Sequence, residues 1–440
     1  MRKLFLAAAL LAATYAQAQQ TDTLRLNLDT ALEIALSENP TIKSADMEIE
    51  RIDYVRREAL GAHLPSLSAG GRYNFDIVKT EMMSGMAFGA DMSASIAGDL
   101  QIPLVVPAVY ASLRLTRTQK ALAVEQARSS RIELANSVKK AFFQILLLER
   151  SLEVLRESEA TITATVDNTR EMFGAGLASE YDLLTAEVQL SNLQPAIINT
   201  ANGIASSRQL LKMYLGVPED VEIALTGSLD GYRDRLWDIP DPAAVLDGNS
   251  ELRQLEHQRE LVRGQIRLAN AARFPVLAAY GTVTFSGQDQ TQSFGLTPDG
   301  GMGVVSSPRW WWQKPTSAGL QISVPIFSGF RNVNKVRQLR NQVSQIDLQK
   351  GYLREAKVLE TRTAVNNFVS ARETMTANEK TVAQAEKAYS IARTRFDAGA
   401  GTMLEVNQAQ LAVTQSRLNL SQAVYDMLSA RADYDKIIGE

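Results

Sequence analysis

Two stretches in each half of the chain alternate apolar and polar residues with period two. From Leu67 the odd positions carry Leu67, Ala69, Gly71, Tyr73 and Phe75, and the even ones carry Ser66, Ser68, Gly70, Arg72, Asn74 and Asp76. Ala94, Ile96, Gly98, Leu100 and Ile102 then alternate with Ser95, Ala97, Asp99 and Gln101. The pattern returns at Leu277, Ala279, Gly281, Val283 and Phe285, and again at Ala318, Leu320, Ile322 and Val324. Side chains on a strand point to opposite faces in turn, so strands are expected over about 66–76, 94–103, 276–286 and 317–325. Such strands suit a membrane barrel, with lipid outside and water inside, and equally a half-buried soluble sheet.

Elsewhere the apolar period is helical. Ala31, Leu32, Ala35 and Leu36 mark a first helix that Asp29 can cap, and a counterpart runs from about Pro242 to Ala271. Pro65 and Pro275 end these helices before the strands begin. Long helices follow over 107–173 and 329–396, of 67 and 68 residues. At 1.5 Å rise per residue each would be about 100 Å long. Leu134, Val138, Phe142, Ile145, Leu148, Leu152 and Leu155 step by three or four, as in a coiled-coil seam. Gly-containing turns reverse the long helices into return helices over 179–215 and 402–438, both rich in Ala, Gln, Ser and Asn.

The same plan is written twice. Leu64-Pro65-Ser66-Leu67 is echoed by Phe274-Pro275-Val276-Leu277, and Asn39-Pro40-Thr41-Ile42 by Asn249-Ser250-Glu251-Leu252, both at an offset of 210. Ile102-Pro103-Leu104 returns as Val324-Pro325-Ile326 at an offset of 222, and Phe173 returns as Phe396 at 223. The jump places an insertion between Phe285 and Thr316. The expected organisation is a first repeat over 19–214, a linking segment over 215–241 and a second repeat over 242–440. Four strands cannot close a membrane barrel, which needs at least eight, so a barrel would have to be shared between protomers.

Composition narrows the classes. Met1-Arg2-Lys3, the apolar run Leu4 to Ala13 and Ala16-Gln17-Ala18 form a secretory leader over 1–18. Without Arg2 and Lys3, 44 basic residues face 49 acidic ones, a balance that argues against nucleic acid as a partner. With no cysteine, disulfides, zinc thiolates and lipid attachment after the leader are excluded. His63 and His257 are the only histidines and have no paired ligand nearby, so metal or histidine catalysis has little support. Ser137-Val138-Lys139-Lys140 fits S-x-x-K but lies within a helix without companion motifs, and Asp299-Gly300-Gly301-Met302-Gly303 lies in a polar loop. No cofactor is implied. Met82, Met83, Met86 and Met92 could offer soft sulfur ligands to Cu(I), or simply form an apolar loop. Trp310, Trp311 and Trp312 are expected in the inserted loop, as an interfacial aromatic anchor or a plug at the outer mouth.

The start Leu26-Asn27-Leu28, Ala31-Leu32, Ala35-Leu36, Asn39-Pro40 resembles the opening signature of the TolC-like outer-membrane efflux proteins. The Pro-flanked strands and the two reversals, Phe173-Gly174-Ala175-Gly176-Leu177-Ala178-Ser179 and Phe396-Asp397-Ala398-Gly399-Ala400-Gly401-Thr402, resemble that family too, and the likeness covers about residues 24–438. The resemblance implies a mainly α fold with membrane β. Three copies would build a twelve-stranded barrel that continues into a helical coiled-coil tunnel from the outer membrane into the periplasm. It implies, as partners, a periplasmic membrane-fusion adaptor, an inner-membrane RND or ABC transporter and outer-membrane lipid. Gly176, Leu177, Ser179, Gly399 and Thr402 would form tips that touch the adaptor. Glu405, with Asp182 and Tyr181, would lie at a periplasmic constriction. The family's second acidic position is Gln408 here, so the resemblance implies a ring thinner in charge. Glu405 and Asp182 could equally be early-helix acids that complement the dipole. The implied function is a passive exit channel of a tripartite efflux pump, or of a type I protein secretion system. An exported structural coiled-coil protein is the rival of another class.

Overall fold

The computed structural model describes residues 24–439 except 79, 84–85, 89, 234–245, 290–291 and 307–309. The leader over 1–18, the helix start expected at Pro242 and the side chains of Met82, Met83 and Met86 lie outside the described residues. In chain order the elements are β1 (Leu24–Leu26), α1 (Leu28–Glu38), α2 (Pro40–Gly61), β2 (Ser66–Phe75), β3 (Thr80–Met83), β4 (Met86–Phe88) and β5 (Met92–Val105). Helices α3 (Pro107–Gly174) and α4 (Glu180–Leu215), strand β6 (Ile223–Leu225) and helix α5 (Leu229–Arg233) follow. After a 3-10 turn at Leu246–Gly248 come α6 (Ser250–Ala271), β7 (Val276–Asp289), β8 (Gln292–Leu296), β9 (Met302–Ser306), β10 (Trp310–Gln313) and β11 (Thr316–Ser323). Helices α7 (Arg331–Asp397) and α8 (Met403–Ile438) end the chain.

Two compact units emerge. One comprises 49–122 and 257–347, the other 24–48, 123–256 and 348–439.

The first unit holds the sheet. Its strands lie in the order β2, β5, β7, with β10 and β11 both pairing the remaining edge of β7, all antiparallel. Register decides what each face carries. Leu67 pairs Leu100, Tyr73 pairs Ala94, Ile96 pairs Phe285, Leu100 pairs Gly281 and Leu320 pairs Ala279. Partners directly opposite share a face, so every apolar row falls on one side of the sheet. Ser68, Ser95, Asp99, Gln101, Thr282, Thr284 and Gln321 fall on the other, where the Thr282 hydroxyl donates to Asp99 Oδ1 at 2.8 Å. The apolar side has no cover within the chain: Leu67 is 80% exposed, Ile96 66% and Leu320 69%. A soluble sheet hides such a face; this one presents it.

Strands β5 and β7 run past the expected ends to Val105 and Asp289. Short hairpins occupy two connections, β3–β4 between β2 and β5, and β8–β9 between β7 and β10. Contrary to the loop expected from the sequence, the three tryptophans lie on a strand. Pairing of Trp310 to Asp289 and Trp312 to Gly287 extends the sheet instead. Trp312 fits because its partner is glycine: a Cβ on Gly287 would lie 2.8 Å from the indole.

The other unit is helical. Asp29 does not cap the first helix. Asn27 does: its Oδ1 accepts from the Thr30 amide at 2.7 Å, while the Thr30 hydroxyl accepts from the Asn27 amide at 3.0 Å. Asp29 stands in the first turn, where its charge complements the dipole. The expected single helix is also broken at Asn39-Pro40, since a residue before proline is pushed to extended backbone and Asn39 has ψ 129°. Beside it β1 pairs β6 in parallel. Leu26, Ala31, Ala35, Val138, Phe142, Ile145, Leu211, Leu215, Val424 and Leu428 form the largest apolar core.

Two asparagines tie this unit together in the same way. Asn39 is 5% exposed and Asn249 3%. Asn39 Nδ2 donates to the Tyr214 carbonyl at 2.8 Å and its Oδ1 accepts from the Thr41 amide. Asn249 Nδ2 donates to the Ile437 carbonyl at 3.0 Å and its Oδ1 accepts from the Leu252 amide. This cap starts α6 at Ser250. Each asparagine thus starts one helix and satisfies a late carbonyl of a return helix, two residues before the glycine that caps it (Gly216 or Gly439). Replacing either by alanine strands buried polar groups at about 1–3 kcal/mol. Asn39→Ala and Asn249→Ala are each expected to lower the thermal midpoint, and Asn→Asp, which keeps only the acceptor, to recover part of it.

Lys357 on α7 is one of the buried charges of the unit, with Glu125 and Asp435. Burial alone would lower its pKa, but hydrogen bonds to Glu251 at 2.6 Å and Glu360 at 2.8 Å outweigh it and hold the ammonium above the ordinary lysine range.

Candidate functional site

The candidate site is the pair of reversals, α3 into α4 and α7 into α8. Both are built the same way. Gly176 takes φ +76° and its amide donates to the Phe173 carbonyl at 2.9 Å, while Leu177 donates to Met172 at 2.8 Å. Gly399 takes φ +71° and donates to Phe396 at 2.8 Å, while Ala400 donates to Arg395 at 2.8 Å. This pairing of i−3 and i−5 bonds is the Schellman helix end, and it needs a left-handed residue at the position each glycine holds. Leu177, just beyond, is 75% exposed and touches no core.

The return helices start differently. Ser179 caps α4: its Oγ accepts from the Asp182 amide at 3.1 Å, and the Asp182 carboxylate accepts from the Ser179 amide at 3.2 Å and from its hydroxyl at 2.6 Å. Thr402 caps α8 by accepting from the Glu405 amide at 3.3 Å, but the Glu405 carboxylate does not close the box. It faces Arg395, with Nη1 3.9 Å from Oε2, and Arg395 Nη2 also donates to the Ala400 carbonyl at 3.2 Å. Gly401 keeps this space open, because a Cβ there would lie 3.2 Å from both Arg395 Cβ and Glu405 Oε2. Asp182 and Glu405 therefore hold the same position of their helices, and each bonds within its own reversal.

Arg395 is the residue that sequence reasoning missed. The signal was present in the echo of the two tips, where Met172 in the first copy stands opposite Arg395 in the second.

Gln408 lies one turn beyond Glu405 and lines a cleft of about 350 Å³ with Ser158, Val188, Gln189, Leu193 and Leu411. Tyr181 is exposed beside Asp182 and does not line it. Gln189 Nε2 donates to the Asn407 carbonyl at 3.4 Å, which joins α4 to α8 at this level. Further along, Arg417 binds Glu157 of α3 at 2.8 Å and Glu386 of α7 at 2.6 Å, next to a buried contact of Ser158 Oγ with Thr414 Oγ1 at 2.8 Å. Partners 31 and 260 residues away leave no local trace in the sequence.

Ser137 Oγ donates to the Glu133 carbonyl of its own helix at 3.0 Å and Lys140 pairs with Asp433 at 2.6 Å, so this pair is no nucleophile and base. His63 packs edge-on against Tyr110 with centroids 4.8 Å apart. Among the described residues no group of three His, Cys, Asp or Glu side chains could hold a metal ion. No helix there is long and apolar enough to cross a membrane.

Comparison with known proteins gives a consistent picture. The family model described as outer membrane efflux protein matches residues 31–217 and 242–440. The alkaline protease secretion protein AprF of Pseudomonas aeruginosa is 26% identical over 430 residues, covering 93% of this chain and 84% of its own. The outer membrane protein TolC of Escherichia coli is 22% identical over 428 residues, covering 94% and 82%. Among solved structures, CusC superposes with a TM-score of 0.74 at 17% identity, covering 93% of this chain and 91% of that one.

Proposed function

The chain belongs to the outer membrane efflux protein family, and from that premise we propose that three copies form a passive duct that receives small molecules from an inner-membrane transporter and releases them outside. It is an outer-membrane exit channel and not an enzyme. The finer reading is as follows. Each protomer supplies the strands β2, β5, β7 and β11 to one closed barrel of twelve. The helices continue it into the periplasm, after removal of the leader over 1–18. The chain arose by internal duplication of a unit over 19–214 and 242–440, a reading supported by the matching asparagine latches and the two matching Schellman turns.

The observation that carries the membrane reading is the register of the sheet, which gathers the apolar residues of four strands on one uncovered face and the polar ones on the other. Lipid covers the first and water wets the second. The reversals are the periplasmic end in this reading. Gly176, Leu177, Ser179, Gly399 and Thr402 dock a membrane-fusion adaptor that brings an RND or ABC transporter. Glu405, Gln408, Asp182 and Tyr181 narrow the bore. Protein export is the second reading, favoured by the likeness to AprF, whose name describes secretion of a protease.

Single-channel recording in planar bilayers tests the gate. The wild type is expected to give small unitary steps, and Glu405→Ala combined with Asp182→Ala larger ones, because the first reversal loses its helix-start contact and the second its ion pair with Arg395. Arg395→Gln alone is expected to raise cation over anion permeability by leaving Glu405 unopposed. Unchanged conductance and selectivity in both variants would place the constriction elsewhere.

A further inference from the structure

The loop end of the sheet carries a second kind of surface. Helices α2, α3, α6 and α7 all join the opposite end, next to Ser66, Val105, Val276 and Ser323. At the loop end, on the apolar face, aromatic residues gather: Tyr73 and Phe75 close β2, Phe285 lies late in β7, and Trp310 and Trp312 stack on β10 with centroids 5.9 Å apart and planes at 22°. The glycine opposite Trp312 makes room for this stack. From Leu277 to Phe285 the face is apolar for on the order of 25 Å along the strand, a height suited to the hydrocarbon of an outer membrane.

Among the described residues a cation stands in this belt. Lys314, two residues after Trp312, holds Nζ 4.4 Å from the centroid of the Phe285 ring. No ion pair joins it to a carboxylate among the described residues, whereas most lysines of the helical unit are paired across helices. The ring face draws the ammonium by its quadrupole but leaves its donors to be satisfied from outside. Aromatic residues of membrane proteins settle at headgroup depth, and a lysine among them reaches the anionic layer with its stem along apolar surface.

We propose that Lys314, with Phe285, Trp310 and Trp312, forms a binding site for the anionic phosphate headgroup of a lipid in the leaflet at the loop end. The site rests on the reading that the apolar face meets lipid. A soluble phosphate does not fit it, because the ammonium lies over the Phe285 ring face, on the side of the sheet that belongs against acyl chains. Lipid is therefore the source.

Native mass spectrometry of the full-length protein in neutral detergent, offered phosphatidylglycerol and phosphatidylcholine, tests this. The wild type is expected to retain phosphatidylglycerol about fivefold over phosphatidylcholine, the preference one lysine gives at an anionic surface. Lys314→Gln is expected to lose that preference and Lys314→Arg to keep it. Lys387→Gln, on the part of α7 that belongs to the helical unit, is expected to leave it unchanged. Equal preference in wild type and Lys314→Gln, or displacement of the lipid by inorganic phosphate, would overturn the site. Wild-type protein that retains neither lipid would overturn the lipid-facing reading itself.

Discussion

Valine at Gly216 is expected to remove most of the folded protein from the membrane fraction. The residue caps α4 in the left-handed region at φ 70° and ψ 23°, where a β-branched side chain is strained. Space is the larger problem. A Cβ there would lie 2.8 Å from the Glu38 carbonyl oxygen and 3.1 Å from Asn39 Cα, both backbone atoms of the α1–α2 break. Neither can move without opening the Asn39 bond to Tyr214. Strain and displacement together cost about 3–5 kcal/mol, a large part of the stability of an ordinary domain. Gly176→Val is the control. Its φ of +76° is left-handed too, but nothing lies within 4 Å of the added Cβ, so only the strain of about 1–2 kcal/mol remains. Immunoblots of membrane fractions and thermal midpoints of purified protein separate the two.

The second large effect is expected from a charge on the sheet, and its sign depends on the face. Ile96 lies in the middle of β5 on the apolar face, opposite Phe285 and Gly71. Arginine there would meet hydrocarbon, at about 2–4 kcal/mol per protomer near the bilayer midplane, repeated in each copy of an assembly. Ile96→Arg is expected to prevent insertion. Thr284 pairs Ala97 one residue from Phe285, on the polar face. Thr284→Arg is expected to insert at close to wild-type level and to alter only what passes. Equal loss in both variants, read as the fraction recovered in outer membranes, would mean that neither face is wetted.

Parts of this architecture are legible residue by residue. Alternation is local, so the rows Leu67 to Phe75 and Ala94 to Ile102 announce strands and faces without any partner. Helix length is equally local, since nothing between Pro107 and Gly174 breaks α3. What stays hidden depends on partners far along the chain. The pairing of Ile96 with Phe285 joins strands from the two halves, and only the register shows that their apolar rows share a side. The echoed Asn39 and Asn249 are visible as a repeat, but their acceptor carbonyls lie 175 and 188 residues away. Strand β1 is three residues long, too short for any period to announce it. The tryptophans mislead because prolines flank them at Pro308 and Pro315, and proline reads as loop. At the reversals, the acids Asp182 and Glu405 are legible as helix-start residues and as bore acids alike. Their contacts to Ser179 and Arg395 show that the first role is filled for Asp182 and that Glu405 has a counter-charge of its own.

The central claim is that one face of the sheet meets lipid while the other lines a water-filled passage. Because the chain contains no cysteine, single cysteines can report on each face without background. Thr284→Cys and Ile96→Cys, each reconstituted in lipid nanodiscs, would be treated with a membrane-impermeant maleimide. Rapid labelling of Thr284→Cys with protection of Ile96→Cys is the result expected. Protection of both, or labelling of Ile96→Cys alone, would contradict a passage through the sheet.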